Sequence, residues 1–293
     1  MISRLFGAYL LKEGKLTKDQ LETVFETMRK VRVKLGLIAV SEKLMTIEQS
    51  DEVNRLQAIV DKRFGDIAVE KGYLTDEQVS RLLGLQGNQY LSFVQSIVDN
   101  DFMEIGDIEK ALSDYQNENG FTLTDIESLK SGDSDRIIPL FLPQNITEYQ
   151  IQHILICIRT LIRLIDSEIY VGKGYVTDFY DADYFALQSL DGDNKATLAF
   201  SGEGKSILSI ADKFAGEKFD NVDEDSLDSV AEFINCVNGL FATNVNSSFM
   251  IDMLPPEYST AKASFSGKLL VLPVYVQGEK IDLISSFGDI INK

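Results

Sequence analysis

Apolar residues recur at helical spacing through the first hundred positions, and the pattern repeats. Phe6, Gly7, Gly14, Leu16, Thr17, Gln20 and Leu21 are matched 58 residues later by Phe64, Gly65, Gly72, Leu74, Thr75, Gln78 and Val79. Midway, Leu35, Gly36, Lys43, Met45, Thr46 and Gln49 occupy the same places, so the period is 29 residues. A weaker fourth copy starts at Phe93, with Ile97, Val98, Met103 and Ile108 at the apolar positions. Self-similarity at such a period points to a stacked unit of short elements. Gly14 and Gly72 fall where a helix C-cap belongs, and Thr17–Gln20 and Thr75–Gln78 have capping-box spacing, so each unit reads as two helices. The first proline is Pro139, which suits an all-helical region.

The pattern weakens after Tyr115. Asn117 to Gly120 and Lys130 to Arg136 are turn-rich, and Pro139 and Pro143 bracket a short apolar piece. These signals predict a helical repeat domain over 1–116, a linker over 117–145 and a second domain over 146–293. In the second domain a long apolar helix is expected from Thr147 to Ile165. Strands follow at 167–171, 184–190 and 196–201, then helices at 205–214 and 224–245. Strands return at 262–266, 269–276 and 280–286. Helices grouped against an antiparallel sheet give an α+β architecture.

The helix from Glu224 carries the most informative side chains. At about 100° per residue, Asp228, Glu232 and Asn235 line one face within roughly 60°, and Gly239 falls on it too. Val230, Ile234, Val237 and Phe241 cluster opposite. The helix should bury one side and present a carboxylate and a carboxamide on the other, beside a glycine that permits close approach.

Composition narrows the chemistry. Asp plus Glu number 46 against 28 Lys plus Arg, a net charge of −18, which disfavours nucleic-acid polymers and anionic membrane surfaces as partners. One histidine leaves no room for a multi-histidine metal site. His153 lies in an apolar helical pattern and reads as a partly buried packing residue. The two cysteines, Cys157 and Cys236, also sit in apolar patterns and read as buried thiols of a reducing compartment. No cleavable leader or spanning segment is apparent, so the chain is expected to be cytoplasmic.

Two resemblances add to this. The matched stretches from Lys34 to Gln57 and from Arg63 to Gln86 resemble the MshEN domain, a module that binds cyclic di-GMP. The second follows its pattern through Arg63, Gly65, Val69, Gly72, Leu82 and Gln86. The first departs at Lys34, Lys43 and Ser50. The segment Glu232-Phe-Ile-Asn235-Cys-Val-Asn-Gly239 resembles the Glu-x-x-Asn signature of the CheC/CheX/FliY chemotaxis phosphatases, and the element order from about residue 146 is similar to CheX.

The second resemblance implies hydrolysis of the aspartyl phosphate of a CheY-type receiver domain. Asn235 would orient the attacking water and Glu232 would engage a receiver lysine, with Asp228 and Gly239 at the partner face. It implies no cofactor of the chain's own, since Mg2+ would be carried by the receiver, and it implies a CheX-type homodimer. The phosphatase signature is absent from the helix at 147–165, so one site per chain is expected. Other readings stay open: a non-catalytic adaptor that binds a receiver or dimerises, and a cyclic di-GMP sensor built on the repeats. Gly202 to Ser206 lacks the first glycine of a P-loop, because position 199 is Ala199, and reads as a tight turn. The acidic-aromatic run from Asp178 to Tyr184 lacks EF-hand spacing and reads as a solvated loop or strand edge.

Overall fold

The computed structural model describes residues 1–293 apart from 61, 194, 246–249, 287, 289–290 and 293. The chain divides into two compact units, Ile2–Asp133 and Ser134–Lys293.

The N-terminal unit is helical: α1 (Ile2–Lys12), α2 (Lys18–Thr27), α3 (Leu35–Ser41), α4 (Ile47–Gln57), α5 (Phe64–Glu70), α6 (Asp76–Gly84), α7 (Gln89–Asp99), α8 (Ile105–Asn119) and α9 (Leu123–Ser131). Left-handed residues stand at Gly14, Lys43, Gly72 and Asp101, with φ between 56° and 71°, each 29 positions after the last. Three residues beyond the first three of them, Thr17, Thr46 and Thr75 cap the next helix. Gln20, Gln49 and Gln78 return the bond to the cap backbone.

Gly7, Gly36 and Gly65 sit where helices touch. A Cβ on Gly7 would meet Leu21 at 2.9 Å, one on Gly36 would meet Phe64 at 2.9 Å, and one on Gly65 would meet Val79 at 2.8 Å. Small residues here let paired helices approach closely. Phe6, Tyr90 and Phe93 are fully or almost fully buried, and with Tyr9 and Tyr115 they form a cluster of tilted and stacked rings.

The stretch 117–145, expected as a linker, is helical and contributes to both cores. Gly120 and Gly132, at φ 67° and 76°, are C-caps of α8 and α9. Ile126 and Leu129 are buried in the first unit. In the second, α10 (Ser134–Ile137) and a 3-10 turn (Ile138–Phe141) bury Ile137, Ile138 and Phe141. The turn-forming residues punctuate short helices, and the intervening apolar residues are too few to reveal a period.

The C-terminal unit continues with α11 (Glu148–Leu164), β1 (Tyr170–Val171), β2 (Tyr175–Ala182), β3 (Tyr184–Gly192), β4 (Ala196–Gly202), α12 (Gly204–Ala215), α13 (Glu224–Val245), β5 (Ile251–Met253), β6 (Glu257–Ser259), β7 (Ala263–Val276), β8 (Glu279–Ser286) and β9 (Ile291–Asn292). Among the described residues every strand pairing is antiparallel, in the order β1-β7-β8-β4-β3-β5, with β2 and β9 also on β7 and β6 also on β3. The two strands expected at 262–266 and 269–276 are the single strand β7. Gly267 and Lys268 oppose Asp178 alone, a bulge that interrupts the apolar pattern but not the strand. The acidic-aromatic run forms the end of β2 and, at Tyr184, the start of β3.

One sheet face packs beneath the helices. Phe200 of β4 meets Phe233 of α13 at 5.9 Å between ring centroids, and Phe214 of α12 meets Phe233 at 5.6 Å. The other face holds Phe185, Leu187, Ala199, Val271 and Ile284, with Phe265 edge-on to Phe185 at 5.0 Å. Thus α13 rests on β3, with α12 and α11 beside it.

Candidate functional site

The start of α13 is set by a reciprocal pair. The Ser226 backbone N–H donates to the Asp223 carboxylate at 2.9 Å, and the Asp223 N–H donates to the Ser226 hydroxyl at 2.8 Å. The Ser226 N–H, followed by its hydroxyl, holds the Asp223 carboxyl below the usual carboxylate range. Glu224 and Asp225 in the first turn suit the positive end of the helix dipole. Burial follows the helical period: Val230, Phe233, Ile234, Val237 and Phe241 are fully buried. Asp228, Glu232, Cys236 and Leu240 are exposed, and Asn235 and Gly239 are half-buried.

The four residues expected on the outer face are therefore together on it. The Asn235 Nδ2 donates to the Glu232 carboxylate at 3.4 Å. A Cβ built on Gly239 meets nothing within 4 Å, so no packing inside the chain requires glycine there. Cys236 is a correction: it is exposed, not buried, because it lies one turn beyond Glu232 on the polar stripe. Cys157 is buried on α11, and burial pushes its thiol pKa up.

Behind Asn235 runs a chain of side-chain amides. The Gln188 Nε2 donates to the Asn235 Oδ1 and to the backbone carbonyl of Leu254, both at 2.9 Å. The Asn238 Nδ2 donates to the Gln188 Oε1 at 2.9 Å, and the His153 Nε2 lies 2.8 Å from the Asn238 Oδ1. His153 is also a correction, since it is fully buried and not partly so. Its ring stacks on Phe241 at 4.1 Å, with planes 20° apart. Burial, opposed by the Asn238 bond, lowers its pKa to about 4, so at neutral pH it is an uncharged hydrogen-bonding group.

Gln188 and Asn238 were not anticipated from the sequence. The available signal was a polar residue at an inward position: Gln188 directly after the apolar run Phe185 to Leu187, and Asn238 one position after the core residue Val237. A buried amide at such a place needs partners, and here four elements supply them.

Around the pair the surface mixes acid with apolar area. Leu240, Met253, Leu254 and Tyr258 are exposed. Desolvation, and then the carboxylates of Asp228, Glu224 and Asp225, push the Tyr258 hydroxyl pKa up, which sets this tyrosine near the acidic start of α13. A separate polar cleft of about 280 Å³ involves Tyr180, Ser201, Glu203, Lys280 and Asp282, and contains neither Glu232 nor Asn235. Gly202 to Gly204 makes the tight turn from β4 into α12 beside it. Among the described residues, no group of three or more His, Cys, Asp or Glu is placed to hold a metal ion. No helix among them is long and apolar enough to cross a membrane.

The family model described as chemotaxis phosphatase CheX matches residues 184–264, a span that includes Gln188, Glu232, Asn235, Gly239 and Leu254. No curated protein sequence matches the chain. Several solved structures are similar to its C-terminal half. A CheC-like superfamily protein from Shewanella sp. PV-4 is 21% identical, with a TM-score of 0.42 over 49% of this chain and 100% of that one. A chemotaxis protein CheX from Desulfovibrio desulfuricans is 13% identical, with a TM-score of 0.42 over 48% and 100%. A chain of the CheX–CheY–BeF3–Mg2+ complex from Borrelia burgdorferi is 18% identical, with a TM-score of 0.39 over 50% and 98%. Within the C-terminal unit, the segment 184–264 is thus similar to CheX.

Proposed function

We propose that this CheX-like unit removes phosphate from the aspartyl phosphate of a CheY-like receiver domain, and that the N-terminal unit docks or regulates it. The observation that carries the reading is the pairing of an exposed carboxylate and a carboxamide, Glu232 and Asn235, on one face of a packed helix inside the family-matched segment. An acyl phosphate is already reactive, so a catalyst has mainly to place a water in line and stabilise charge. The Asn235 Oδ1 uses one lone pair for Gln188 and keeps a second, which can accept a hydrogen bond from the attacking water and so turn its oxygen toward phosphorus. Glu232 supplies a negative charge for a receiver lysine. The exposed Leu240, Met253 and Leu254 provide apolar area for docking.

The decisive experiment follows phosphate loss from a phosphorylated receiver with the wild-type chain, with Asn235→Ala and with buffer. Wild type is expected to accelerate it, and Asn235→Ala to lose on the order of 100-fold in kcat. Glu232→Ala is expected to raise KM more than it lowers kcat. Identical rates in wild type, Asn235→Ala and buffer would overturn the assignment. Tight receiver binding without faster phosphate loss would favour the adaptor reading instead.

Gly239 offers an independent check. Glycine inside a helix is less stable than alanine by roughly 0.5–1 kcal/mol, and the space beside it is open. Gly239→Ala is therefore expected to raise the unfolding midpoint while weakening receiver turnover, because a methyl group would stand between the helix and its partner. A variant that gains stability and keeps full turnover would show that the partner does not approach here.

A further inference from the structure

A carboxamide at the outer face of a helix can rotate by half a turn, exchanging its donor end for its acceptor end at almost no steric cost. What aims that of Asn235 lies beneath it. We propose that Gln188 of β3 is the positioning residue that fixes which end of the Asn235 amide faces the reaction, an inference that rests on the reading of Asn235 given above.

The argument begins at a backbone carbonyl. The Leu254 oxygen can only accept, so the end of Gln188 facing it at 2.9 Å must be Nε2. That nitrogen has one remaining proton, directed at Asn235, so the atom it meets at 2.9 Å must be Oδ1. The opposite end of Gln188 is then Oε1, which requires a donor, and Asn238 turns its Nδ2 toward it at 2.9 Å. Asn238 thereby presents Oδ1 to His153, whose Nε2 carries the proton at 2.8 Å. Gln188 is 1% exposed, and Asn238 and His153 are 0% exposed. Bulk solvent does not reach these groups, and turning Gln188 over would set its carbonyl against the Leu254 carbonyl and its amino group against that of Asn238. One main-chain oxygen thus dictates the sense of the whole row. At its outer end the Asn235 Nδ2 is left beside Glu232 at 3.4 Å, while Oδ1, held by Gln188 through one lone pair, offers its second to the water. The same bond ties the site to the segment that immediately precedes Pro255 and Pro256, so the path of that segment and the aim of the amide are set together.

The test combines a kinetic cycle with a spectroscopic readout. Gln188→Met keeps length and volume but removes both polar ends. It is expected to lower kcat for receiver dephosphorylation about tenfold with KM unchanged, and to have no further effect on kcat in the Asn235→Ala background. A merely structural role would reduce turnover by the same factor in both backgrounds and would overturn the proposal. Side-chain amide NMR of the unmodified full chain reads the bond directly, with Asn235→Asp assigning the signal. The Gln188 and Asn238 NH2 protons are expected to be protected from exchange, and the Asn235 pair to shift on Gln188→Met. Rapid exchange at Gln188, or an unmoved Asn235 signal in the variant, would overturn the proposal whatever the kinetics. If wild type fails to accelerate phosphate loss while the NMR result holds, the phosphatase reading falls and the orienting role of Gln188 stands.

Discussion

Truncation of Phe241 to alanine is expected to destabilise the C-terminal unit by about 3–5 kcal/mol, the range for removing a buried aromatic ring. Phe241 is fully buried. Its ring lies edge-on to Tyr149 at 4.8 Å and stacked on His153 at 4.1 Å, so one side chain of α13 makes both aromatic contacts to α11. The void left by alanine would adjoin the polar atoms of His153, so it would also give water a place beside the imidazole. Phe241→Leu, which refills much of the volume, should lose substantially less. Hydrogen exchange of the α11 and α13 amides reads the effect within this unit. A loss below about 1 kcal/mol would mean that the neighbouring side chains collapse into the space.

The second large effect depends on pH. In the folded chain His153 titrates at about 4, against an ordinary 6.5, because burial disfavours the imidazolium. Between these values the unfolded chain binds a proton that the folded chain refuses. Stability contributed by neutral, buried His153 is therefore complete above pH 6.5 and drains away as the pH falls toward 4, by up to about 3 kcal/mol. The comparison is with His153→Leu, which keeps every carboxylate and removes this titration. Its baseline stability should be lower, since the Asn238 Oδ1 loses its donor. Its slope with pH between 6.5 and 4 should be shallower than that of wild type, so the gap between the two narrows on acidification. Parallel slopes would show that His153 takes up its proton in the fold as readily as in the open chain. Phe241→Ala links the two expectations: with water beside the imidazole its pKa should move back toward 6.5, and the acid sensitivity should flatten.

Much of this architecture is legible residue by residue. The Thr–Gln boxes and the glycines that follow a helix act through bonds spanning three or four positions, so spacing alone exposes them. Glu232 and Asn235 share a face for the same reason, because three residues of helix bring them to neighbouring positions on the surface. Cys236 departs from its expected burial because one step along a helix turns through about 100°, enough to move a thiol from core to surface. The boundary between the units, after Asp133, lies inside the stretch 117–145, but Gly120 and Gly132 there end helices, which spacing alone does not distinguish from linker glycines.

The order of amino acids by itself determined the short helices, their caps, the amphipathic rod of α13 and the acid–amide pair on its outer face. Each of these is governed by hydrogen bonds and periodicities within a few residues. Only the tertiary structure decided how that amide is aimed. The atoms responsible come from α11, β3, α13 and the segment after β5, up to a hundred residues apart in the chain. They meet because apolar surfaces elsewhere on those elements press α13 onto the sheet and α11 onto α13. Once water is excluded, each buried donor must find its acceptor, and a single backbone carbonyl is enough to set the direction of the rest.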